Sequence, residues 1–504
     1  MTGLQRKDIY LLGFLFLVVL VIFYPVFFTE YAYTDEIFQI WNYRPGSGMM
    51  MFAIQGRWLT ELMVSKTFSA IDSIREITYI RIFSLVLWMI CIPVWYVIIK
   101  RVVAQRPGYE AMPFFVCLFL VTSLQFSITV QWASCVELAI ANTAGLLSGT
   151  IWHLAIRDKE KFWSIPVPAA LGATAAALVS MAAYQSGFGC FVIPFLIYYI
   201  TSDATGKDAV FIKGIGFYFA MYALYFVLFK LSLAIAHITS DARAGFTNDV
   251  PGKIAYFITQ PLKRAFWFNL IINCDNKIAK AMYYLLLMGW VVLAFIRFGK
   301  KGRLQAVKYV TAAGTMFVLS YLPSLVVYEN YSSNRTMLAI DMCVWIVWVE
   351  MALYFVKHIQ LRRVIAISVA TVLVIAGWYN FNKQFLQPIH KEYMAVKNYM
   401  QQHYNKNITT VHFIGLPQNA FEKKFHLQSS MDEFGVPTTA AIFDWMPLNL
   451  TWQLAYEKTG NRETAGHLTV KYWKDDAAFA HSGERAGENT LVVNMPELIN
   501  ALYP

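Results

Sequence analysis

Separate apolar runs of roughly 18 or more residues constrain this chain more than any other feature. The composition agrees with them, since 58% of the 504 residues are hydrophobic and only 14% are charged. A helix advances about 1.5 Å per residue, so such a run is long enough to cross the hydrocarbon core of a bilayer. The sequence therefore predicts a polytopic α-helical membrane protein and not a soluble globular one.

Eleven apolar runs occur before residue 382, and the sixth of them is short. We place the predicted transmembrane helices near residues 9–29, 79–99, 113–131, 138–156, 164–183, 187–201, 215–237, 281–297, 306–327, 337–356 and 363–381. The first run lacks an A-x-A cleavage site, so we expect a retained span and not a signal peptide.

The basic residues predict the orientation of these spans. Lys and Arg collect in alternate connections, for example at 100–106, 157–161 and 297–303, whereas the connections between spans 3 and 4 and between spans 5 and 6 carry none. The positive-inside rule assigns the basic connections to the cytoplasm. The net charge of +11 fits this pattern, so we expect membrane lipids and no nucleic acid as partners. An odd number of spans places the C-terminus and two long loops, 30–78 and 238–280, outside.

The composition changes at residue 382. We therefore divide the chain into a transmembrane domain, 1–381, and a small external α/β domain, 382–504. A helix is predicted over His390–His403, and strands are predicted over Thr409–Ile414, Leu468–Trp473 and Thr490–Val493. The histidines of this region lack metal-ligand spacing such as H-x-x-x-H, so we expect no metal site.

An acidic pair, Asp35–Glu36, stands just after the first span and is the first candidate for chemistry. The same loop continues into residues 51–68, where an apolar face alternates with Arg57 and Glu61. This pattern predicts a helix lying at the membrane surface, where Trp58 could hold a lipid-linked substrate at headgroup height. The alternative is that the two acids are solvated loop residues at a helix end.

Other polar residues fall at turns predicted to lie on the same side. They are Glu137 before the fourth span, Tyr184 and Gln185 between the fifth and sixth, and Glu329 and Arg335 between the ninth and tenth. Each is explained singly by the polar and aromatic belt of a membrane protein. Together, acids, arginines and aromatic rings at one face predict a pocket for a phosphorylated sugar.

The segment from Asp35 to Glu61, with its Q-G-R-W-L-T-E ending, resembles the type II Gtr family of bacterial O-antigen glucosyltransferases. The resemblance includes the Tyr184–Gln185 turn, Arg335 and the plan of many spans with an external tail. More distantly, the chain is similar to the GT-C superfamily of polytopic glycosyltransferases. The tail adds little to this resemblance.

The resemblance implies an inverting transfer of glucose from a polyprenyl-phosphate donor to a lipid-linked oligosaccharide or polysaccharide acceptor, on the periplasmic face of the bacterial inner membrane. It implies that Asp35 or Glu36 is the general base. A flippase and a donor synthase are the further partners implied. We expect Arg57 and Arg335 to bind the donor phosphate. The expected substrate-binding residues are Trp58, Glu61, Glu137, Tyr184, Gln185 and Glu329.

No cofactor is expected, because the sequence has no G-x-G-x-x-G motif for a nucleotide and no D-x-D motif for a metal. Two alternatives stay open: a transferase of a different group on a similar frame, and a flippase or transporter of a lipid-linked saccharide. Transporters usually place polar groups at the membrane midplane, whereas these polar residues collect at one face.

Overall fold

The computed structural model describes residues 4–47, 49–103, 107–157, 165–202, 206–239, 245–268, 270, 277–299, 302–429, 433–439, 445–484 and 487–503. Up to residue 381 it is a helix bundle. Its helices are α1 (Arg6–Phe23), α2 (Asp35–Asn42), α3 (Trp58–Phe68), α4 (Ile77–Val103), α5 (Met112–Thr122), α6 (Leu124–Gln131), α7 (Leu138–Ile156), α8 (Val167–Ala183), α9 (Val192–Thr201), α10 (Lys207–Ala236), α11 (Val250–Thr259), α12 (Pro261–Phe266), α13 (Lys277–Phe298), α14 (Arg303–Ser320), α15 (Leu322–Val326), α16 (Asn334–Phe355) and α17 (Ile359–Phe381).

Every predicted apolar run lies on a helix or on two consecutive helices, which indicates a membrane protein. The number of eleven spans is not confirmed. Within the described residues, seven helices are long and apolar enough to cross a membrane, and α5 with α6, bent by 45°, would be an eighth. The bend follows Ser123, whose hydroxyl accepts the Phe126 N–H at 3.2 Å and starts a new helix.

Two helices form the centre of the bundle. In the apolar windows of α7 and α16, 83% and 78% of residues are buried, against 22% for α10 and α13. The centre is closely packed because α7 meets a 3-10 segment, Gln185–Phe191, through glycines. A Cβ at Gly145 would collide with the Gly187 carbonyl, so any larger residue at position 145 would push the two segments apart.

The C-terminal region is an α/β unit. Its parallel sheet has the order β2–β1–β3, formed by β1 (Thr410–Ile414), β2 (Thr469–Trp473) and β3 (Thr490–Asn494). The helices are α18 (Gln387–His403), α19 (Gln418–Phe425), α20 (Trp445–Thr459), α21 (Arg462–Gly466), α22 (Asp476–His481) and α23 (Met495–Leu502). The three predicted strands are present to within one residue.

No loop separates this region from the bundle. Helix α17 continues through a π-helical turn, Asn382–Leu386, directly into α18. The described residues after 381, called the tail below, also pack on the loop 30–78 that the sequence predicts to be external. Glu457 accepts the Ile74 N–H at 2.7 Å, and the Thr438 hydroxyl donates to the Ala32 carbonyl at 3.0 Å. The tail and the loop therefore meet at one end of the bundle.

The predicted surface helix over 51–68 is shorter in the structure. Gly56 adopts φ 82°, a left-handed conformation that breaks the helix, and α3 begins only at Trp58. The predicted second external loop carries α11 and α12, while its residues 240–244, 269 and 271–276 lie outside the described residues.

Candidate functional site

The backbone is strained where the acidic pair begins. Thr34, the residue before α2, adopts φ 40° and ψ −116° and is 2% exposed. A positive φ is a genuine outlier for a β-branched residue and persists only where the surroundings hold it. Such strain concentrates at functional sites, which directs attention to the neighbouring Asp35.

Glu36 is held in a buried ion pair with Arg81, and both side chains are fully buried. The Glu36 carboxylate also accepts the Tyr33 N–H at 2.8 Å and the Ala133 N–H at 2.6 Å. Arg81 donates two further bonds to the Tyr31 carbonyl at 3.1 Å. Protonating this carboxylate would leave a buried guanidinium unpaired, so the contacts of Glu36 are those of a structural anchor.

Asp35 has a different setting, although it is the adjacent residue. It lies in the first turn of α2 and is only partly buried. One residue turns a helix by about 100°, so the Asp35 side chain points in a different direction from that of Glu36. Its charge acts on the Cys135 thiol, in the short turn before α7, together with the charges of Glu137, Arg335 and Glu433.

Arg57 lies at the start of α3 and is partly buried. Its guanidinium carbon lies 4.3 Å from the centre of the Tyr184 ring, and its Nε donates to Gln185 Oε1 at 3.4 Å. Within the described part of the chain it forms no ion pair. Its charge nevertheless acts on Glu137 and Tyr184. A guanidinium in this position is well suited to pair with an anionic ligand.

The turn before α3 is held by side chains from two other helices. Gln185 Nε2 donates to the Gln55 carbonyl at 2.7 Å and to the Tyr225 hydroxyl at 2.8 Å. Tyr225 donates to the Gly56 carbonyl at 3.0 Å and lies 5.8 Å from Trp58, measured between ring centres. A Cβ at Gly56 would collide with the Tyr225 hydroxyl. These contacts orient the turn that carries the first arginine of the site.

Arg335 supplies the second guanidinium, from the first turn of α16. Its guanidinium carbon lies 4.4 Å from the centre of the Trp132 ring, and one of its terminal nitrogens donates to the Tyr331 hydroxyl. Its Nε donates to Glu433 at 3.2 Å. The planar group is thereby held in one orientation against an aromatic face.

Glu433, a residue of the tail, is fully buried and was not indicated by the sequence. Its carboxylate accepts the N–H of Asn334 at 2.8 Å and that of Arg335 at 3.2 Å, at the N-terminus of α16. A negative charge is favourable at this end of a helix dipole. Gln131 donates to the Glu433 carbonyl at 3.0 Å. The tail therefore caps α16 and fixes Arg335 from outside the bundle.

Glu137 stands immediately before α7 and is 2% exposed. Its Oε2 atom is buried without a hydrogen-bond partner among the described residues. The charges of Arg57 and Arg335 both act on it. A buried carboxylate oxygen normally finds a donor, so this atom is suited to accept from a ligand hydroxyl.

Tyr184 lies under the Arg57 guanidinium and feels the charges of both arginines. Burial outweighs these charges and raises the pKa of Tyr184, so its phenol stays a neutral hydrogen-bond donor near neutral pH. The charges of Arg57, Glu137 and Arg335 act on Tyr184, and those of Asp35, Glu137 and Arg335 act together on Cys135. These shared influences define the acid–arginine cluster: Asp35, Arg57, Glu137, Tyr184 and Arg335.

Two predicted site residues have other surroundings. Glu61 accepts the N–H groups of Phe52 at 2.7 Å and Ala53 at 3.3 Å and so closes the turn before its own helix. Glu329 is exposed beside α11, where its carbonyl accepts from Lys253 Nζ at 2.9 Å. Neither setting resembles that of the acid–arginine cluster.

The cluster offers two carboxyl groups, two guanidinium groups and a phenol at one end of a helix bundle. In the described ranges no group of His, Cys, Asp and Glu residues is placed to hold a metal ion. Two arginines can bind a phosphate, and a partly buried carboxylate can take a proton from a hydroxyl. The fold and the cluster thus define a membrane protein suited to an anionic substrate that carries hydroxyl groups.

A family comparison gives the particular class. The family model for glucosyl transferase GtrII matches residues 24–353, and the chain belongs to this family. The match includes every predicted site residue, from Asp35 to Arg335, and ends before the tail. No curated protein and no solved structure matches the chain. The family supports a glycosyltransferase whose activity is glucosyl transfer.

Proposed function

We propose that the protein transfers glucose from a polyprenyl-phosphate donor to a lipid-linked O-antigen or related surface polysaccharide, at the periplasmic face of the bacterial inner membrane. Membership of the glucosyl transferase family supports the transferred group. The donor, the acceptor, the side of the membrane and a GT-C type of mechanism go beyond what the family comparison shows, and they are the content of the proposal. In it the sugar, still attached to its lipid, enters the acid–arginine cluster at the rim of the bundle.

The proposal rests on one observation about Arg57, namely that its guanidinium forms no ion pair among the described residues. This guanidinium is partly buried, stacked on Tyr184 and without an ion pair among the described residues. A phosphodiester in contact with it would supply the missing negative charge, and Arg335 would contact a second phosphate oxygen. The leaving phosphate gains charge as the bond to the sugar breaks, so both contacts strengthen in the transition state.

Asp35 is the proposed general base. The acceptor hydroxyl oxygen attacks C1 of the sugar while its proton passes to the Asp35 carboxylate. The bond between C1 and the phosphate oxygen breaks, and polyprenyl phosphate leaves with the electron pair. Attack opposite the leaving group inverts the configuration at C1. A positioned base contributes about 10²–10⁴-fold to such a rate. Glu36 is a poorer base because its carboxylate already binds Arg81 and two backbone N–H groups.

Glu137 and Tyr184 are proposed to recognise the sugars. The unpartnered oxygen of Glu137 would accept a hydroxyl of the sugar or the acceptor, and the neutral Tyr184 phenol would donate. Trp58 and Gln185 are also proposed to contact the substrate, because Trp58 follows Arg57 in the chain and Gln185 accepts a hydrogen bond from Arg57. A flippase and a donor synthase are the partners that this donor requires.

The test is transfer of glucose from synthetic polyprenyl-phosphate glucose to a lipid-linked oligosaccharide by the full-length protein in lipid nanodiscs. We expect an acceptor heavier by one hexose in mass spectrometry, and Asp35→Asn should abolish this product. Asp72→Asn is the matched control, because Asp72 is an exposed acid of the same loop that pairs with Arg44 at 2.7 Å. Transfer from UDP-glucose alone, or full activity of Asp35→Asn, would contradict the proposal.

A further inference from the structure

A cavity of about 380 Å³ lies in the C-terminal region, away from the acid–arginine cluster. Its walls include Ile414, Asn494, Asp476, Glu497, Tyr399 and Phe479. Small-molecule sites have volumes of roughly 300–1,000 Å³, so the cavity is large enough for a ligand.

The topology of the sheet favours a site at this place. The chain leaves the central strand β1 for β2 at one edge, then passes back across β1 to β3 at the other edge. The direction of strand order therefore reverses between β1 and β3. Parallel α/β sheets bind ligands at such a point, outside the carboxyl ends of the strands. Ile414 ends β1 and Asn494 ends β3, and both line the cavity.

The lining indicates the chemistry of the ligand. Asp476 and Glu497 are exposed carboxylates, and the Asn494 amide donates to Asp476 at 2.7 Å. The described residues that line the cavity include no Lys or Arg, so an anion such as a phosphate would be repelled. Carboxylate and amide oxygens accept from hydroxyl groups, and Phe479 supplies a flat apolar surface for the ring of a sugar. A neutral, polyhydroxylated ring satisfies both features.

The position of the cavity argues against lipid headgroups as the ligand. Tyr399 lies on α18, which continues α17 without a loop. At about 1.5 Å per residue, roughly 27 Å of helix separates Tyr399 from the end of the last apolar segment. A glycan chain that extends away from the membrane reaches this distance, whereas a headgroup does not.

We propose that this cavity is a binding site for a neutral sugar unit of a polysaccharide, separate from the acid–arginine cluster. It would hold the acceptor glycan at a distance from the point of transfer. Binding here requires no reaction, so the site can be tested even if the donor or the base has been assigned wrongly.

The test is saturation-transfer difference NMR on the full-length protein in nanodiscs, with maltotriose and methyl α-rhamnoside as neutral probes. We expect transfer to the sugar ring protons with the wild type. The double variant Asp476→Asn/Glu497→Gln and the single variant Phe479→Ala should each reduce the signal at least fivefold. Glu463→Gln is the matched control, because Glu463 is an exposed acid in the first turn of α21, as Glu497 is in α23.

Asp35→Asn should keep the probe signal, which separates this site from the proposed catalytic one. The Asp476→Asn/Glu497→Gln variant retains the shape of both side chains, so it gives an answer even if Phe479→Ala does not fold. The proposal is overturned if neither probe gives a signal with the wild type, or if the signals are equal in the double variant. Binding of spermidine in place of the sugars would show a cation site and would also overturn it.

Discussion

The two ends of the helix bundle both bury a glutamate beside an arginine, but these two buried pairs differ in the charged residues that the described part of the chain places around them. At the end away from the tail, Glu350 pairs with Arg297 and accepts the hydroxyls of Tyr109 at 2.8 Å and Tyr309 at 3.2 Å. Arg297 also donates to the Ile200 carbonyl at 3.2 Å. The charges of Glu350 and Arg297 therefore both have partners within the protein.

At the end that meets the tail, the pairing is incomplete. Glu36 and Arg81 pair their charges as Glu350 and Arg297 do, and we call both closed pairs, although Arg81 Nε has no hydrogen-bond partner among the described residues. In the described residues, however, Arg57 has no ion pair and Glu137 has a buried oxygen without a donor. An ionisable residue inside a bundle is therefore a weak sign of function by itself. The stronger sign is a buried or half-buried charge whose partner is missing from the protein.

The largest expected effect tests the open end. Asp35→Asn should lower the glucosyl transfer rate about 10²–10⁴-fold, because the amide keeps the size and shape of the side chain but cannot take the proton of the acceptor hydroxyl. The measurement is the rate per folded molecule, with folding checked by size-exclusion chromatography and thermal unfolding. If the variant loses activity only because less protein folds, Asp35 has a structural role like that of Glu36 and Glu350. The proposed difference between the two ends of the bundle would then be wrong.

Glu36→Gln and Glu350→Gln test the closed pairs. Each leaves a buried arginine without its carboxylate, which costs about 3–5 kcal/mol of folding free energy. We expect lower unfolding temperatures for both variants in nanodiscs, and unchanged transfer per folded molecule for Glu350→Gln. Wild-type stability of Glu36→Gln would contradict its assignment as an anchor.

Arg57→Lys and Arg297→Lys compare the same substitution at the two ends. Lysine keeps the charge but loses the planar fork, and one charge-assisted hydrogen bond is worth roughly 1.5 kcal/mol. We expect Arg57→Lys to raise the KM for the donor about tenfold with unchanged thermal stability. Arg297→Lys should lower the stability and leave that KM unchanged. If instead Arg297→Lys raised the KM for the donor and Arg57→Lys lowered the stability, the donor would bind at the end of the bundle away from the tail, which would contradict the proposal.

The smallest effect is expected from Glu433, which acts through Arg335. Glu433→Gln keeps an acceptor at the start of α16 but loses the charge that orients the guanidinium. The KM for the donor should rise about threefold, within the roughly 0.5–1.5 kcal/mol of one neutral hydrogen bond, while kcat changes little. Glu433→Ala should have a larger effect on KM, and Glu463→Gln none. A fall in kcat alone would argue against a positioning role.

Much of the fold could be predicted from local patterns. The apolar runs predicted the helices, and the alternating segments predicted β1, β2 and β3 to within one residue. The number of spans could not be predicted, because α8 and Gln185–Thr201 are apolar but short, and α14, which covers most of the predicted span 306–327, is not among the described helices that are long and apolar enough to cross a membrane. The helix over 51–68 was predicted too long because its periodicity continues through Gly56, where the backbone turns left-handed.

The site was predicted in part. The residues of the acid–arginine cluster were all candidates, because they lie next to apolar runs predicted to end on one side. The separate surroundings of Asp35 and Glu36 could not be read from the chain, since the partner of Glu36 is in α4. Glu433 carries no local signal at all. Arg81 does carry one, as a charge inside an apolar run, and it could have been recognised as the partner of a buried acid.

By itself, the sequence determined that this chain forms apolar helices with polar residues at their ends. Within hydrocarbon the backbone must satisfy its own hydrogen bonds, and the helix does this from local residues alone. Only the tertiary structure decided which charges are paired and which remain for a ligand. Pairing joins residues distant in the chain, as Arg335 joins Glu433, and depends on packing that no local pattern specifies.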